Sequence, residues 1–343
     1  MTTPIWNTGL DAETRAATGK MLPRERAGST PEVVTVGESM ALFNPATVGP
    51  LPHAGTFTLG IGGAESNVAI ALKRLDISVA WVGRLGNDTL GNLIRRELLA
   101  EALEVVCARD DDAPTGLMIK ERRTSSNTRV SYYRANSAGS RLCVDDIPAD
   151  LIAGARLLHL TGITPALSRS AASAVQYSID CAKAAGVKVS FDLNYRASLW
   201  SMQEAKSAYE GLIAQADVVF AGEEEAAIVV DYAENPIHLA ERLVKLGPTE
   251  VVIKLGSAGC AALVEGIEYH QPAIQVDAID TVGAGDAFVA GYLAEWLRHK
   301  SVPQRLLTAV RTGAFACLVP GDWEGMPYRN ELSLLDATEP VSR

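Results

Sequence analysis

"ESNVAIALKRLDISVAWVGRLGNDTLGNLIRRELLA", residues 65–100, decides the fold class. Its first third places apolar residues at helical spacing, its middle ("SVAWVG") is a short β-branched and aromatic run, and its end ("LGNLIRRELLA") returns to helical spacing. Helix, buried strand, helix is the rhythm of strands laid parallel and joined by helical crossovers. The same rhythm begins upstream at "VVTVGE" (33–38). It returns downstream at "ARLLHLTG", "SAASAVQYSIDCAKAAG", "KVSFDL", "DVVFAG" and "EVVIKLG". The expectation is an α/β fold, a mostly parallel central sheet with helices on both faces.

Two stretches break the rhythm. Residues 41–61 carry turn residues and short β pieces, and residues 115–134 read as two extended runs around the polar turn "SSN". Both are too β-rich for crossovers, so a small β-sheet lid over one edge of the main sheet is expected. Residues 1–31 read as a polar tail with a short helix near 11–20, and residues 331–343 as a C-terminal tail.

At 343 residues and 48% hydrophobic, the chain can bury a large core. A charged share of 21% excludes wholesale disorder. The net charge of −10, with no dense Lys/Arg cluster, argues against a nucleic-acid partner. Five scattered cysteines without a CxxC pair read as core residues of a reducing compartment. No apolar run reaches the roughly 18 residues of a membrane span, and no signal-peptide layout opens the chain. A cytoplasmic protein without membrane contact is expected.

The chemistry concentrates in "QVDAIDTVGAGDAF", 275–288, read as a strand ending near Ile279 that feeds a helix beginning around Ala284. Unpaired amides and a positive dipole at a helix start suit a phosphate, and glycines allow close approach. Asp286 among those amides has two readings. It either complements the dipole or accepts a proton from a hydroxyl attacking phosphorus. The loop is neither a completed dinucleotide fingerprint, since residue 288 is Phe, nor a Walker loop.

"DTVGAGDAF" resembles the C-terminal signature of the ribokinase-like (PfkB) carbohydrate kinases. "GIGGAESNVAIALKRL" (60–75) resembles that family's N-terminal Gly-Gly-x-x-x-Asn signature, "VGRLGNDTLG" (82–91) the segment after it, and "IKLGSAG" (253–259) its nucleotide-side turn. The resemblance spans about residues 33–325 and implies one ribokinase-like kinase domain over 32–330. It implies phosphoryl transfer from ATP, with Asp286 as general base and the amides of Gly283, Ala284 and Gly285 as anion hole. Gly62, Gly63 and Asn67 would lie under the sugar. Asn194, Lys254, Gly256, Ser257 and Gly259 would face the nucleotide, with the helix "AVRTGAFACLVPG" (309–321) beside adenine. Mg²⁺ would accompany ATP. The family's Asn-x-x-Glu at a helix start is here "GEEE" (222–225), so Glu225 is either its metal-side acid or a dipole complement. A monovalent cation near Asp280 and a homodimer or higher homo-oligomer through the lid are also implied.

For the substrate, the family's neutral-sugar kinases place an Asp after the first strand, whereas this chain has Glu38 there and no Asp before Asn44. Tyr132 and Arg134 share a strand face, and Arg196 follows a strand's C-terminal end in "FDLNYRASLW". Arginine forks beside a phenol suit a sugar acid, although lid packing, a dimer contact or a surface ion pair would also use these residues. Together with "HLTGITPAL" (159–167), these segments look similar to the 2-keto-3-deoxygluconate kinases of the family. The similarity implies Tyr132, Arg134 and Arg196 as ligands of 2-keto-3-deoxygluconate. A kinase of fructose, ribose or 5-keto-2-deoxygluconate, or a non-catalytic sugar- or nucleotide-binding regulator, are the alternatives.

Overall fold

The computed structural model describes residues 20–21, 30–124 and 127–336. The strands are β1 (Lys20–Met21), β2 (Val33–Val36), β3 (Met40–Pro45), β4 (Phe57–Gly62), β5 (Val79–Gly86), β6 (Glu104–Asp110), β7 (Leu117–Thr124), β8 (Asn127–Tyr133), β9 (Leu157–Thr161), β10 (Lys188–Asp192), β11 (Val218–Gly222), β12 (Glu250–Lys254), β13 (Cys260–Val264) and β14 (Ile267–Gln271). The helices are α1 (Ala64–Arg74), α2 (Thr89–Ala100), α3 (Ala149–Gly154), α4 (Ile163–Leu167), α5 (Arg169–Ala184), α6 (Met202–Ile213), α7 (Glu223–Val230), α8 (Pro236–Val244), α9 (Ala284–Leu297) and α10 (Val302–Ala316).

The main sheet runs β1-β6-β5-β2-β9-β10-β11-β12-β13-β14. It is parallel from β6 to β12, with β1, β13 and β14 antiparallel at its edges. Successive strand residues point to opposite faces, so each strand feeds two cores. Val33 and Val252 pack with α1, α2, α9 and α10, while Val34, Val251 and Ile253 pack with α3, α5, α6, α7 and α8. The all-β-branched or apolar strands of the sequence are therefore those buried on both sides. The expected α/β architecture with helices on both faces is what forms.

A second sheet, β4-β3-β7-β8, stands apart. It is built from the two stretches that break the α/β rhythm, with β7 and β8 as a hairpin. In β7, Met118 and Lys120 point inward and their neighbours outward, as a pleat requires.

The strand expected to end near Ile279 is absent. The ladder stops at Gln271 because Pro272 has no N–H to extend it. Residues 272–283 then run without regular structure, and the Ile279 amide donates to the Cys317 carbonyl at the end of α10 instead. The alternating "QVDAID" pattern is a loop pinned to a helix end. Helix α9 does begin at Ala284. Its cap, Gly283, has φ 80°, and a Cβ there would sit 1.8 Å from the Asp322 carbonyl oxygen, so glycine is required twice over. The apolar run after Asp286 is explained by burial of nearly every side of α9 between α1 and α10.

Residues 11–19 of the expected N-terminal helix lie outside the described residues. Lys20 and Met21 pair with Arg109 and Ala108 at the sheet edge. Toward the other end, Arg329–Asp336 is a 3₁₀ segment, tied down where Arg329 donates to the Leu75 carbonyl and to Glu295. All five cysteines are free thiols. Among the described residues no helix is long and apolar enough to cross a membrane.

Candidate active site

The site lies off the C-terminal ends of the parallel strands, where open α/β sheets bind ligands. Glu38 follows β2, Thr161 ends β9, Asp192 ends β10, and Lys254 ends β12. The N-termini of α1 and α9 meet there. Asn67 of α1 donates from Nδ2 to Asp286 Oδ2 of α9 at 2.8 Å, joining two signatures 219 residues apart.

Asp286 is nearly enclosed, at 8% exposed. Burial pushes its carboxyl up to about 7, against the Asn67 hydrogen bond and aided by the negative charge of Asp192. Lys254 Nζ lies 2.7 and 2.9 Å from the two oxygens of Asp192. Burial works against the Lys254 ammonium, yet Asp192 and Glu225 hold its affinity for the proton above the ordinary range. It remains a cation on the wall of the site, within 3.9 Å of where a Gly285 Cβ would be.

Two cavities meet here and share Lys254, Thr281 and Gly285. The first, about 300 Å³, has Asp286, Gly283 and Gly285 at one end and Gly63, Asn67 and Glu65 along one wall. Asn194 and Arg196 stand on another wall, and Tyr132 and Arg134 reach in from β8 and the residue after it. Gly63 leaves no room for a side chain, since a Cβ would fall 2.3 Å from the Glu38 carbonyl. The second cavity, about 340 Å³, is lined by Gly256, Ser257, Gly259 and Ala284, by the extended loop around Ile274, and by Val310, Gly313, Ala314 and Cys317 of α10 and its cap. It is mostly apolar and opens onto the α9 amides. The helix expected beside adenine thus lines it.

Three predicted residues sit differently. Asn194, expected to face the nucleotide, lines the first cavity and not the second, because it follows the end of β10. Gly62 is not on the cavity wall; it packs against Asp322, whose Oδ2 would lie 2.2 Å from a Cβ. Glu225 caps its own helix, accepting the Gly222 amide at 2.6 Å and the Tyr195 amide at 3.0 Å. Among the described residues no group of three or more His, Cys, Asp or Glu could hold a metal ion.

Two residues here, Glu65 and Lys120, were not singled out from the sequence, and Glu38 only as standing where neutral-sugar kinases place an Asp. Glu38 pairs with Arg134, whose Nε donates at 2.8 Å, and accepts the Ser137 hydroxyl at 2.5 Å. Arg134 also lies over the Tyr132 ring, 5.5 Å from its centroid. Glu65 is 1% exposed and accepts the hydroxyls of Thr161 and Thr164 at 2.8 and 2.6 Å. Burial raises its carboxyl despite those bonds. Lys120, fully buried in β7, reaches Asp280 and Asp322. Arg196 donates to the Tyr195 carbonyl and, among the described residues, pairs with no carboxylate.

With this geometry in hand, the likenesses to known proteins carry weight. Residues 30–329 match the family described as pfkB family carbohydrate kinase. The chain is 37% identical over 315 residues to 2-dehydro-3-deoxygluconokinase from Bacillus subtilis strain 168, covering 90% of this chain and 97% of that one. The structure of 2-dehydro-3-deoxygluconokinase from Thermotoga maritima superposes with a TM-score of 0.84 at 27% identity, covering 88% of this chain and 97% of that one. An uncharacterised sugar kinase from Pyrococcus horikoshii, solved in complex with ATP, gives 0.76 at 25% identity, over 88% and 97% of the two chains.

Proposed function

The chain belongs to the pfkB family of carbohydrate kinases, and we propose that it transfers the γ-phosphoryl group of ATP to the terminal hydroxyl of 2-keto-3-deoxygluconate. The product is 2-keto-3-deoxy-6-phosphogluconate. The observation that carries the reading is the junction of the two cavities at Gly285, with Asp286 and the α9 amides at that point and two arginines on the sugar side.

The sugar acid takes the first cavity, over Gly63 and Asn67, its hydroxyls, keto group and carboxylate read by Tyr132, Arg134 and Arg196. ATP takes the second, its phosphates toward the Gly283, Ala284 and Gly285 amides, with Lys254, Gly256, Ser257 and Gly259 along the nucleotide, while Asn194 stays on the wall of the first cavity. The terminal hydroxyl oxygen forms a bond to the γ-phosphorus as the bond to the ADP oxygen breaks, and its proton passes to Asp286. Asn67 holds Oδ2 of that carboxylate, which leaves Oδ1 to take the proton. Fixed amides and the Lys254 ammonium neutralise the charge that gathers on the moving group. Mg²⁺, when bound on the ATP phosphates, supplies further neutralisation. Glu225 is the acid this chain offers on that side, with both oxygens already accepting backbone amides. The β4-β3-β7-β8 sheet acts as the lid that keeps water from the γ-phosphate. Its outward Leu59 and Tyr133, 50% and 61% exposed, suit pairing with a second copy of the chain.

One observation favours a neutral sugar instead: Glu38 already offsets the charge of Arg134. ADP release with Mg-ATP, measured against 2-keto-3-deoxygluconate, its galacto epimer, 5-keto-2-deoxygluconate, fructose and ribose, separates the readings. Preference for the 2-keto-3-deoxy acids is expected. Turnover of fructose or ribose alone would retain Asp286 as base and remove the sugar-acid assignment, and silence with all five would favour a non-catalytic regulator.

A further inference from the structure

Lys120 is a lysine with no exposure at all, on a lid strand whose other charged residues face outward or lie part-exposed. Its Nζ lies 3.1 Å from Asp280 Oδ2, 2.6 Å from Asp322 Oδ1 and 2.9 Å from the Gly321 carbonyl oxygen. The Asp280 oxygen and the Gly321 carbonyl accept hydrogen bonds from the ammonium, and the Asp322 carboxylate is its ion-pair partner.

Those oxygens belong to the walls of the anion hole. Asp280 Oδ1 accepts the Val282 amide at 3.1 Å, and Oδ2 also accepts the Gly321 amide at 3.3 Å. The Asp322 carbonyl is pressed against Gly283, the cap of α9, and its carboxylate against Gly62, at the end of β4 before α1. One ammonium therefore ties the lid, the turn 280–283 and the segment 321–322 together, directly behind the Gly283–Gly285 amides.

Family resemblance implies a monovalent cation near Asp280. The residues present do not fit one. The place it would take between these carboxylate and carbonyl oxygens is filled by a covalently attached unit charge, and a second cation would meet that charge at close range.

We propose that Lys120 is a positioning residue whose ammonium acts as a built-in monovalent cation behind the anion hole, so that turnover needs no potassium or sodium. The lid strand that brings Met118 to the sugar cavity also brings this charge, so lid placement and anion-hole placement are set by one side chain. The proposal rests on the kinase chemistry of the site and is independent of which sugar is phosphorylated.

The test has a wild-type arm and a variant arm, run with whichever acceptor turns over. Wild-type kcat is expected to be the same in tetramethylammonium buffer free of alkali metal as in potassium buffer. Strong activation by potassium would overturn the proposal without any variant. Lys120→Met is expected to lose about a hundredfold in kcat in tetramethylammonium buffer, with both KM values nearly unchanged, because a small displacement of reacting groups is that costly. Potassium or ammonium ion should restore about tenfold of that loss. The same ions should raise the Tm of Lys120→Met and leave the wild-type Tm alone, a readout that needs no substrate. A Lys120→Met enzyme with wild-type kcat, or one that no small cation rescues or stabilises, would overturn the proposal. Should that variant not fold, the wild-type cation series decides by itself. The substrate-free arm also keeps this outcome separate from failure of the sugar-acid reading.

Discussion

The two cavities that meet at Gly285 are built from opposite materials. The side proposed for the sugar is walled by buried charged side chains, Glu38, Glu65, Arg134, Asp192 and Asp322 among them, drawn from positions 38 to 322. The side proposed for the nucleotide is mostly apolar, walled chiefly by glycines, alanines, aliphatic groups and Phe288 within residues 254–317, with Lys254, Ser257, Gln275 and Thr281 as its polar members. Buried polar groups penalise a ligand that leaves them unpaired, and so discriminate strongly; apolar walls discriminate weakly. Selectivity of this enzyme should therefore reside on the sugar side, and the nucleotide side should behave as a shaped receptacle.

The largest expected effect is at the junction, where both halves converge. Asp286→Asn should cut kcat by at least about a hundredfold, the worth of a positioned base, with both KM values little changed. Retention of near-normal kcat would remove Asp286 as the base. The same group predicts a pH dependence. Its carboxyl is raised from 3.8 to about 7 by burial, so the ionised form is disfavoured in the folded state. That penalty is absent below the unfolded pKa, grows as pH rises between the two values, and is complete above about 7. kcat/KM should accordingly fall as pH drops below about 7. Asp286→Asn should melt higher than wild type in alkaline buffer and converge with it in acid, and equal Tm values in alkaline buffer would refute the burial argument.

Next in size are the arginines. Arg196→Ala should raise KM for the sugar acid by about ten- to a hundredfold, the worth of hydrogen bonds to a charged group, and leave KM for ATP alone. Arg134→Ala should do the same and also destabilise the fold by about 3 kcal/mol or more, since Glu38 would remain buried without its partner. Thermal melts of the two variants distinguish them. Equal melting points would mean that the Glu38 pair is of no structural consequence, and a parallel rise in KM for ATP would erase the contrast between the cavities.

The same contrast governs how much of the molecule could be read from its sequence. The turns of the second cavity were legible because they are local: "IKLGSAG" and "DTVGAGDAF" carry their own turns, and Gly259 and Gly283 hold backbone angles that few other residues adopt. The α/β order was legible because strands buried on both faces leave unbroken apolar runs. Glu65 was not, because an acid in a first helical turn reads as a dipole complement; only Thr161 and Thr164, about a hundred residues on, show it to be buried. Lys120 sits in "IKERR", which reads as a solvated strand face. Its burial depends on Asp280 and Asp322 lying beneath the lid. The loop at 275–279 was misread for the same reason, since alternation describes a strand only if another strand is there to pair with.

The smallest expected effect tests the receptacle itself. Val310 of α10 lines the nucleotide cavity at 5% exposed, one turn before Gly313 and Ala314. It offers ATP only aliphatic surface, so Val310→Ala removes contact without stranding a polar partner. At about 0.8 kcal/mol per buried methylene, and with part of that surface facing protein, KM for ATP should rise about three- to tenfold. kcat and KM for the sugar should stay put, because the variant leaves the Gly283–Gly285 amides and Asp286 untouched. Steady-state kinetics with each substrate varied in turn reads this directly. If KM for the sugar rose together with KM for ATP, packing under α9 would be transmitting the loss across the junction, and the two cavities would have to be treated as one cooperative site.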